Sequence, residues 1–191
     1  MLYPKSLLLE VHATMERLRM TAAEFFDLPE THQPTELIDG EITVSPAPAL
    51  KHQSLIVALI MLLGRIAPHG RTFVAPTDVY LDEENVVQPD VLWLSPESAC
   101  VPVQNKYLRG APDLVIEVFS ASTGRRDRRE KFVLYEKHGV REYWIVDPDA
   151  RFVEVWRREE AVFVHQGVYG PEDAFDSVTL GQAVELKPLF D

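Results

Sequence analysis

Two acidic residues of this chain lie alone inside apolar runs that have the composition of buried β-strands. Asp90 lies within residues 86–94, and Glu117 lies within residues 112–120. A carboxylate that leaves water costs several kcal/mol unless a charge or a hydrogen bond compensates it. Two such runs therefore predict a shared compensating group, and a divalent cation held between neighbouring strands would serve both carboxylates.

The two carboxylates can share an ion only if they point to the same side of one sheet. Because side chains alternate along a strand, Glu117 shares a face with Val115, and Asp90 shares a face with Leu92. We predict that the two runs are neighbouring strands and that both acids face the same layer.

Length and composition limit the class of protein. The chain has 191 residues, which predicts one domain over residues 1–191, with residues 1–20 as a candidate amino-terminal extension. Its single cysteine, Cys100, excludes an internal disulfide and fits a reducing compartment. The sequence has no signal-peptide pattern and no apolar stretch of membrane-spanning length, so we predict a cytoplasmic protein without membrane contact.

The net charge of −11 argues against broad, non-specific binding of nucleic acid. Such binding depends on lysines and arginines, and the chain has 30 acids against 19 bases. Residues 125–131 nevertheless hold five bases and two acids, a local charge of +3 (five minus two). This stretch is either a solvated helix face or a local source of positive charge for an anionic ligand.

Capping and turn signals predict the local elements. Thr21 and Glu24 have the spacing of a capping box, Asp39-Gly40 predicts a hairpin over residues 35–44, and Gly139 has the position of a helix C-cap. The apolar spacing after Lys51 predicts the longest helix, buried on most sides. The predicted helices cover residues 7–18, 22–28, 51–66 and 126–138.

Apolar runs between these elements predict the strands. They cover residues 71–75, 78–81, 87–94, 114–119, 142–146, 152–156, 161–165 and 177–180, with a loop between 94 and 114. Strands that are apolar on both faces belong in the middle of a sheet covered by helices on both sides. We therefore predict an α/β fold around one sheet: a mixed central β-sheet flanked by helices, with an amino-terminal β-hairpin and carboxyl-terminal β-hairpins.

Lys131 is a candidate for the missing positive charge. It lies four residues before Tyr135 in the predicted helix, so its stem can pack on the apolar side while its ammonium extends from the first turns. An ammonium beside a scissile phosphate would stabilise developing negative charge. The alternative is a surface ion pair between Asp127 and Lys131.

The motifs, taken in order, resemble the Uma family of putative restriction endonucleases, a bacterial group with a restriction-endonuclease-like PD-(D/E)xK core. The matching segments are residues 35–41, His52, residues 88–91 and 110–120, Asp127, Lys131, Tyr135 and residues 139–148. The resemblance extends over about residues 21–185 and implies the restriction-endonuclease-like core for this chain.

The resemblance also implies roles for particular residues. Asp90 is similar to the aspartate of the core motif and Glu117 to its second acid, so both would be metal ligands, with Glu36 completing the set. The motif's lysine would stand two residues after the acid, where this chain has Phe119; the resemblance maps that lysine to Lys131. Auxiliary positions are His52, Gln88 and the carbonyl of Val118.

Two functions of different classes follow from these expectations. The first is an endonuclease that uses Mg²⁺ or Mn²⁺ to hydrolyse phosphodiester bonds of DNA, with Asp90, Glu117 and Lys131 as catalytic residues. The second is a catalytically inactive protein that keeps the nuclease fold as a binding or scaffold module. A double-strand cutter would need two sites, so we predict a homodimer, with the edge of the carboxyl-terminal hairpins as a candidate interface.

Overall fold

The structure is a computed structural model that describes residues 19–29, 33–119 and 125–191. The predicted helix over residues 7–18 lies outside the described residues. Four helices are described: α1 Ala22–Phe26, α2 Leu50–Ile66, α3 Arg125–His138 and α4 Lys187–Phe190. None of the helices in these ranges is both long and apolar enough to cross a membrane.

Local signals near the amino terminus form the predicted structures. The Glu24 amide donates to Thr21 Oγ1 at 3.3 Å, and the Thr21 amide donates to Glu24 Oε2 at 2.8 Å, so the capping box of α1 is confirmed. Asp39 and Gly40 have φ angles of 48° and 74°, as a tight two-residue hairpin turn requires. The turn joins two strands whose last pair is Ile38 with Glu41.

The strands form two six-stranded sheets and one separate hairpin. The strands are β1 Thr35–Ile38, β2 Glu41–Val44, β3 Arg71–Val74, β4 Val79–Asp82, β5 Asn85–Val87, β6 Val91–Leu94, β7 Val101–Val103, β8 Tyr107–Arg109, β9 Leu114–Val118, β10 Glu142–Asp147, β11 Phe152–Glu159, β12 Val162–Tyr169, β13 Ala174–Ser177 and β14 Gln182–Glu185. The first sheet has the order β2-β1-β5-β4-β8-β7, and the second has the order β12-β11-β10-β9-β6-β3. Strands β13 and β14 form the hairpin.

The second sheet is the mixed central sheet of the predicted fold. Its strands β9 and β10 are parallel, and its other neighbours are antiparallel. One face packs on Leu55, Leu59 and Leu63 of α2, and the other face packs on Leu134 and Tyr135 of α3. The α/β fold class, with a mixed sheet between helices and hairpins at both ends, is confirmed.

Several details of the sequence interpretation are wrong. The run over residues 87–94 is not one strand, because Gln88-Pro89-Asp90 separates β5 in the first sheet from β6 in the second. The strands therefore divide between two sheets instead of one. The expected loop between residues 94 and 114 contains β7 and β8, and the strand expected over residues 177–180 is the turn between β13 and β14.

Helix α2 is buried on one side only, in contrast to the prediction. Its buried side chains include Leu55, Leu59 and Leu62, which recur at helical spacing and face the central sheet. On its opposite side, Val57 is 56% exposed and Met61 is 71% exposed. Apolar residues occur on every side of the helix, which is why the sequence predicted burial on most sides. Only one stripe of these side chains contacts a packing partner in the described residues.

Candidate active site

Strand register brings the two lone acids to the same end of two neighbouring strands of the central sheet. Val91 of β6 pairs with Ile116 of β9 in antiparallel register, so Asp90 and Glu117 are opposite each other at the next position. Their neighbours Leu92 and Val115 pack in the layer that contains α3, while Val91 and Ile116 pack against α2. The contacts of the two carboxylates differ, because Lys131 and Tyr135 of α3 bond to Glu117 whereas His52 of α2 contacts Asp90. That both acids face one layer stays a prediction.

Two side chains of α3 donate hydrogen bonds to Glu117. Its Oε1 accepts hydrogen bonds from Lys131 Nζ at 3.2 Å and from the Tyr135 hydroxyl at 2.6 Å. Lys131 and Tyr135 are four residues apart and lie on the same side of the helix, so one rigid element supplies both donors. Both side chains are buried.

Lys131 joins the two sheets through a pair of carboxylates. Its Nζ lies 2.9 Å from Glu36 Oε1 on β1 and 3.2 Å from Glu117 Oε1 on β9. Glu36 Oε1 also accepts a hydrogen bond from the Gln88 amide at 2.6 Å. The ammonium thus lies between Glu117 of β9 and Glu36 of the amino-terminal hairpin.

Asp90 is contacted by a backbone amide of β9 and by a side chain of α2. Its Oδ2 accepts a hydrogen bond from the Val118 amide at 2.7 Å and lies 3.2 Å from His52 Nε2 on α2. The Gln88 side chain, two residues earlier, donates from Nε2 to Asp78 Oδ1 at 2.8 Å. The segment Gln88-Pro89-Asp90 therefore contacts Glu36 and Asp78 on the side of the first sheet and the Val118 amide of the second sheet, where the chain passes from one sheet to the other.

Burial and charge shift the acidity of these groups. Removal from water raises the pKa of Glu117 to about 8, with Asp90 and Glu36 adding to the rise and Lys131 and Tyr135 opposing it. Burial likewise raises the pKa of Asp78 above its ordinary value, against the hydrogen bond from Gln88. The hydrogen bond to Asp90 raises the pKa of His52, although burial opposes it. The site holds more negative charge than its one lysine balances.

These groups, apart from Tyr135, line one cavity with a volume of about 1300 Å³. All seven residues singled out from the sequence contribute to its wall: Glu36, His52, Gln88, Asp90, Glu117, Val118 and Lys131. Sequence reasoning missed two residues of the site. Tyr135 had a signal, its position four residues after Lys131, whereas Asp78 lies in the expected strand region without any pattern that marks it.

The donor set consists of carboxylate oxygens, one imidazole and backbone carbonyls. Within the parts of the chain that the structure describes, no three acidic, histidine or cysteine side chains form a group that could hold a metal ion as they stand. Mg²⁺ in proteins commonly takes one or two carboxylates and completes its coordination with water and phosphate oxygens. Asp90 and Glu117 correspond to that smaller set.

The fold and the site together define a restriction-endonuclease-like α/β protein. The sequence pattern of the Uma2 family, described as "Putative restriction endonuclease", matches residues 22–187. The chain belongs to this family, and its resemblance to the Uma family is confirmed.

A solved structure has the same fold. It is described as a putative nuclease belonging to DUF820 from Anabaena variabilis, and it superposes with a TM-score of 0.75 at 23% sequence identity. The match covers 90% of this chain and 97% of that chain. No curated protein matches the sequence. The family and the neighbour are both described as nucleases, which makes a nuclease the class of activity to consider.

Proposed function

We propose that this protein is a metal-dependent endonuclease that hydrolyses phosphodiester bonds of DNA. One observation carries the proposal: Lys131 Nζ lies within 3.2 Å of two carboxylates, and Asp90 lines the same cavity. Acids and a lysine converging from three elements form the combination that phosphodiester hydrolysis uses. Membership of a family described as restriction endonucleases supports the same reaction.

The residues fit a hard divalent cation such as Mg²⁺ or Mn²⁺. Asp90 and Glu117 would hold it, with the carbonyl of Val118 and the carboxylate of Glu36 as further ligands. The raised pKa of Glu117 has burial as its main cause, with the negative charge of Asp90 and Glu36 adding to it, and a cation would favour the ionised carboxylate. A bound cation would polarise the phosphate. It would also lower the pKa of a water molecule, so that a nucleophile is available at neutral pH.

Lys131 replaces the lysine that the PD-(D/E)xK motif has two residues after its second acid. Phe119 occupies that position here, and its side chain carries no charge. A lysine four carbons long can reach the same point from α3, since its ammonium lies 3.2 Å from Glu117 Oε1. There it would stabilise charge that develops on the phosphate.

Tyr135 and Glu36 hold this lysine–acid pair in place. The Tyr135 hydroxyl bonds Glu117 Oε1, which leaves Oε2 without a bond in the described residues. Glu36 fixes Lys131 Nζ from the other sheet at 2.9 Å. Both groups would therefore orient the reacting side chains before substrate arrives, which lowers the cost of ordering them.

The charge of the cavity favours an alternative. Its wall has four acids, Glu36, Asp78, Asp90 and Glu117, against Lys131 as the only lysine or arginine among the described lining residues. An inactive protein of the same fold that binds or scaffolds another molecule would have no need to attract a polyanion. Activity with a divalent cation separates the two functions.

A homodimer would give a double-strand cutter its second site. Strand β12 is at one edge of the central sheet, and its Val162 and Val168 side chains are 54% and 55% exposed. Antiparallel pairing of this edge with its copy would create a twofold interface. In a plasmid assay, linear product formed without a nicked intermediate would support two coupled sites.

The function is tested by a nuclease assay on plasmid and single-stranded DNA with Mg²⁺ or Mn²⁺. We expect Asp90→Asn, Glu117→Gln and Lys131→Met to lower the rate by about 100-fold or more while the variants remain folded, because each removes a charge at the reacting phosphate. Asp149→Asn is the matched control, since Asp149 is exposed and pairs only with Lys51 among the described residues. A Glu117→Gln variant as active as the wild type would refute the mechanism. A wild type without activity under any of these conditions would favour the binding module.

A further inference from the structure

His52 lies on the packed stripe of α2, in its first turn. It is 8% exposed, and it precedes Leu55 and Leu59 at the spacing that places all three on the buried side of the helix. These leucines pack against the central sheet in the layer that contains Val91 and Ile116. His52 is therefore fixed by the helix packing and reaches Asp90 at the point where the chain enters β6.

The contacts of Asp90 all fall on one of its two oxygens. Oδ2 accepts from the Val118 amide at 2.7 Å, and His52 Nε2 lies 3.2 Å from the same atom. An ionised carboxylate only accepts hydrogen bonds, so His52 presents its Nε2 hydrogen to Asp90. Oδ1 has no hydrogen bond within the described residues, and Asp90 lines the cavity.

We propose that His52 is a positioning residue that orients the Asp90 carboxylate so that Oδ1 is the oxygen offered to a divalent cation. The inference rests on the proposed function, because it assigns the ligand atom of the same site. Two bonds on Oδ2 from different elements, β9 and α2, fix the carboxylate plane. If Asp90 kept only the hydrogen bond from Val118, its carboxylate could rotate about that bond. Fixing the carboxylate when the cation binds would then cost conformational entropy, and the affinity for the cation would be lower.

The role is distinguishable from that of a catalytic base. His52 touches Asp90 and no other described charged side chain at hydrogen-bond distance, and its Nδ1 is buried without a partner in the described residues. The imidazole thus acts through the carboxylate. Its replacement should change the affinity for the cation before it changes the chemical step.

The test measures Mn²⁺ binding by calorimetry on the full chain, without DNA. We expect His52→Leu and His52→Asn to weaken Mn²⁺ affinity by about 10- to 100-fold, because outer groups that orient a ligand typically contribute that much. His52→Gln should restore most of the affinity, since its amide nitrogen can donate to Oδ2. Ser54→Leu, on the exposed side of the same helical turn, is the control and should bind as the wild type does.

Thermal unfolding without metal, measured on every variant, identifies those that fold. If His52→Leu fails to fold, the comparison of His52→Asn with His52→Gln decides the question, because both keep a polar side chain and differ in reach. If the wild type binds Mn²⁺ and the folded His52 variants bind it with the same affinity, this inference alone is overturned. A wild type that binds no Mn²⁺ at all would overturn both the inference and the proposed function.

Discussion

The side chain of Glu117 is held by two donors on one oxygen, yet its pKa is raised. Lys131 and Tyr135 stabilise the ionised form, but burial and the nearby carboxylates Asp90 and Glu36 outweigh them. Natural proteins keep such unfavourable charge where a ligand compensates it. The position of Glu117 therefore carries a cost in the free protein that the proposed cation would offset.

The pH dependence of stability tests this account in protein kept free of metal with EDTA. The pKa of Glu117 in the folded chain is about 8, above its ordinary value of 4.5, so the folded state holds the proton more strongly than the unfolded state. Stability then falls as pH rises through the window between these values. Glu117→Gln removes this loss of stability. We therefore expect the melting temperature of the variant to exceed that of the wild type by more at about pH 8.5 than at about pH 5. The difference should be about 2–4 °C for each kcal/mol of stability regained.

Thermal scans at both pH values, followed by circular dichroism, measure the difference. Glu154→Gln serves as a control for the loss of one acidic charge at a distance from the cavity. An equal advantage of Glu117→Gln at both pH values would contradict the assigned acidity of this residue.

Single side chains were the part of the site that the sequence predicted best. An acid inside an apolar run is recognisable because few such residues are tolerated without compensation, and this signal identified Asp90 and Glu117. Asp78 had no comparable signal, because it precedes a strand that is partly exposed. Its place in the cavity follows only from the hydrogen bond with Gln88.

Two glycines near the end of α2 differ in what surrounds them. Gly64 lies inside the helix, and a Cβ placed there would meet nothing within 4 Å. Gly70 follows the helix, and a Cβ there would lie 2.2 Å from the ring of Trp93, which is buried in the core. The same substitution should therefore have opposite effects at the two positions.

We expect Gly64→Ala to stabilise the protein by about 0.5–1 kcal/mol, because alanine loses less backbone entropy in a helix. Gly70→Ala should destabilise it by about 1–3 kcal/mol, because the added methyl overlaps atoms of a packed ring. Urea denaturation followed by tryptophan fluorescence measures both free energies of unfolding, and each variant is the control for the other. Equal effects at the two sites would contradict the packing of Trp93 against Gly70.

Helices and turns followed from local signals, whereas strand boundaries did not. The capping box at Thr21 and the Asp39-Gly40 turn depend on neighbours within a few residues, so the sequence contains all that determines them. The break at Pro89 depends on which sheet each half of the run joins. That choice is made by partners far along the chain, Leu37 for β5 and Ile116 for β6.

The charge of the whole molecule sets the conditions under which the proposed binding of DNA would occur. With a net charge of −11 and four acids in the cavity wall, the free protein repels a polyanion at a distance. A divalent cation in the site would offset most of this negative charge where the phosphate of the proposed substrate would lie. Binding of DNA should therefore depend on the cation even when no cleavage occurs.

We expect Ca²⁺ to tighten DNA binding by about tenfold or more relative to EDTA, with a shallow dependence on monovalent salt because few lysines and arginines contact phosphate. Fluorescence anisotropy with a labelled duplex and a labelled single strand measures the affinity. Asp90→Asn should abolish the Ca²⁺ effect, while Asp149→Asn should retain it. Equal affinity in Ca²⁺ and EDTA would contradict a cation-bridged complex.

The sequence by itself determined the family, the α/β class, the capped and turn-closed elements, and the identity of the lone acids, because these depend on residue chemistry and short spacings. The tertiary structure decided the division of strands into two sheets, the bridge from Lys131 to Glu36, and the contact of His52 with Asp90. The bridge and the contact join residues that are 95 and 38 positions apart, by subtraction of their numbers. Contacts at that separation depend on the packing of whole elements, which no local pattern in the chain specifies.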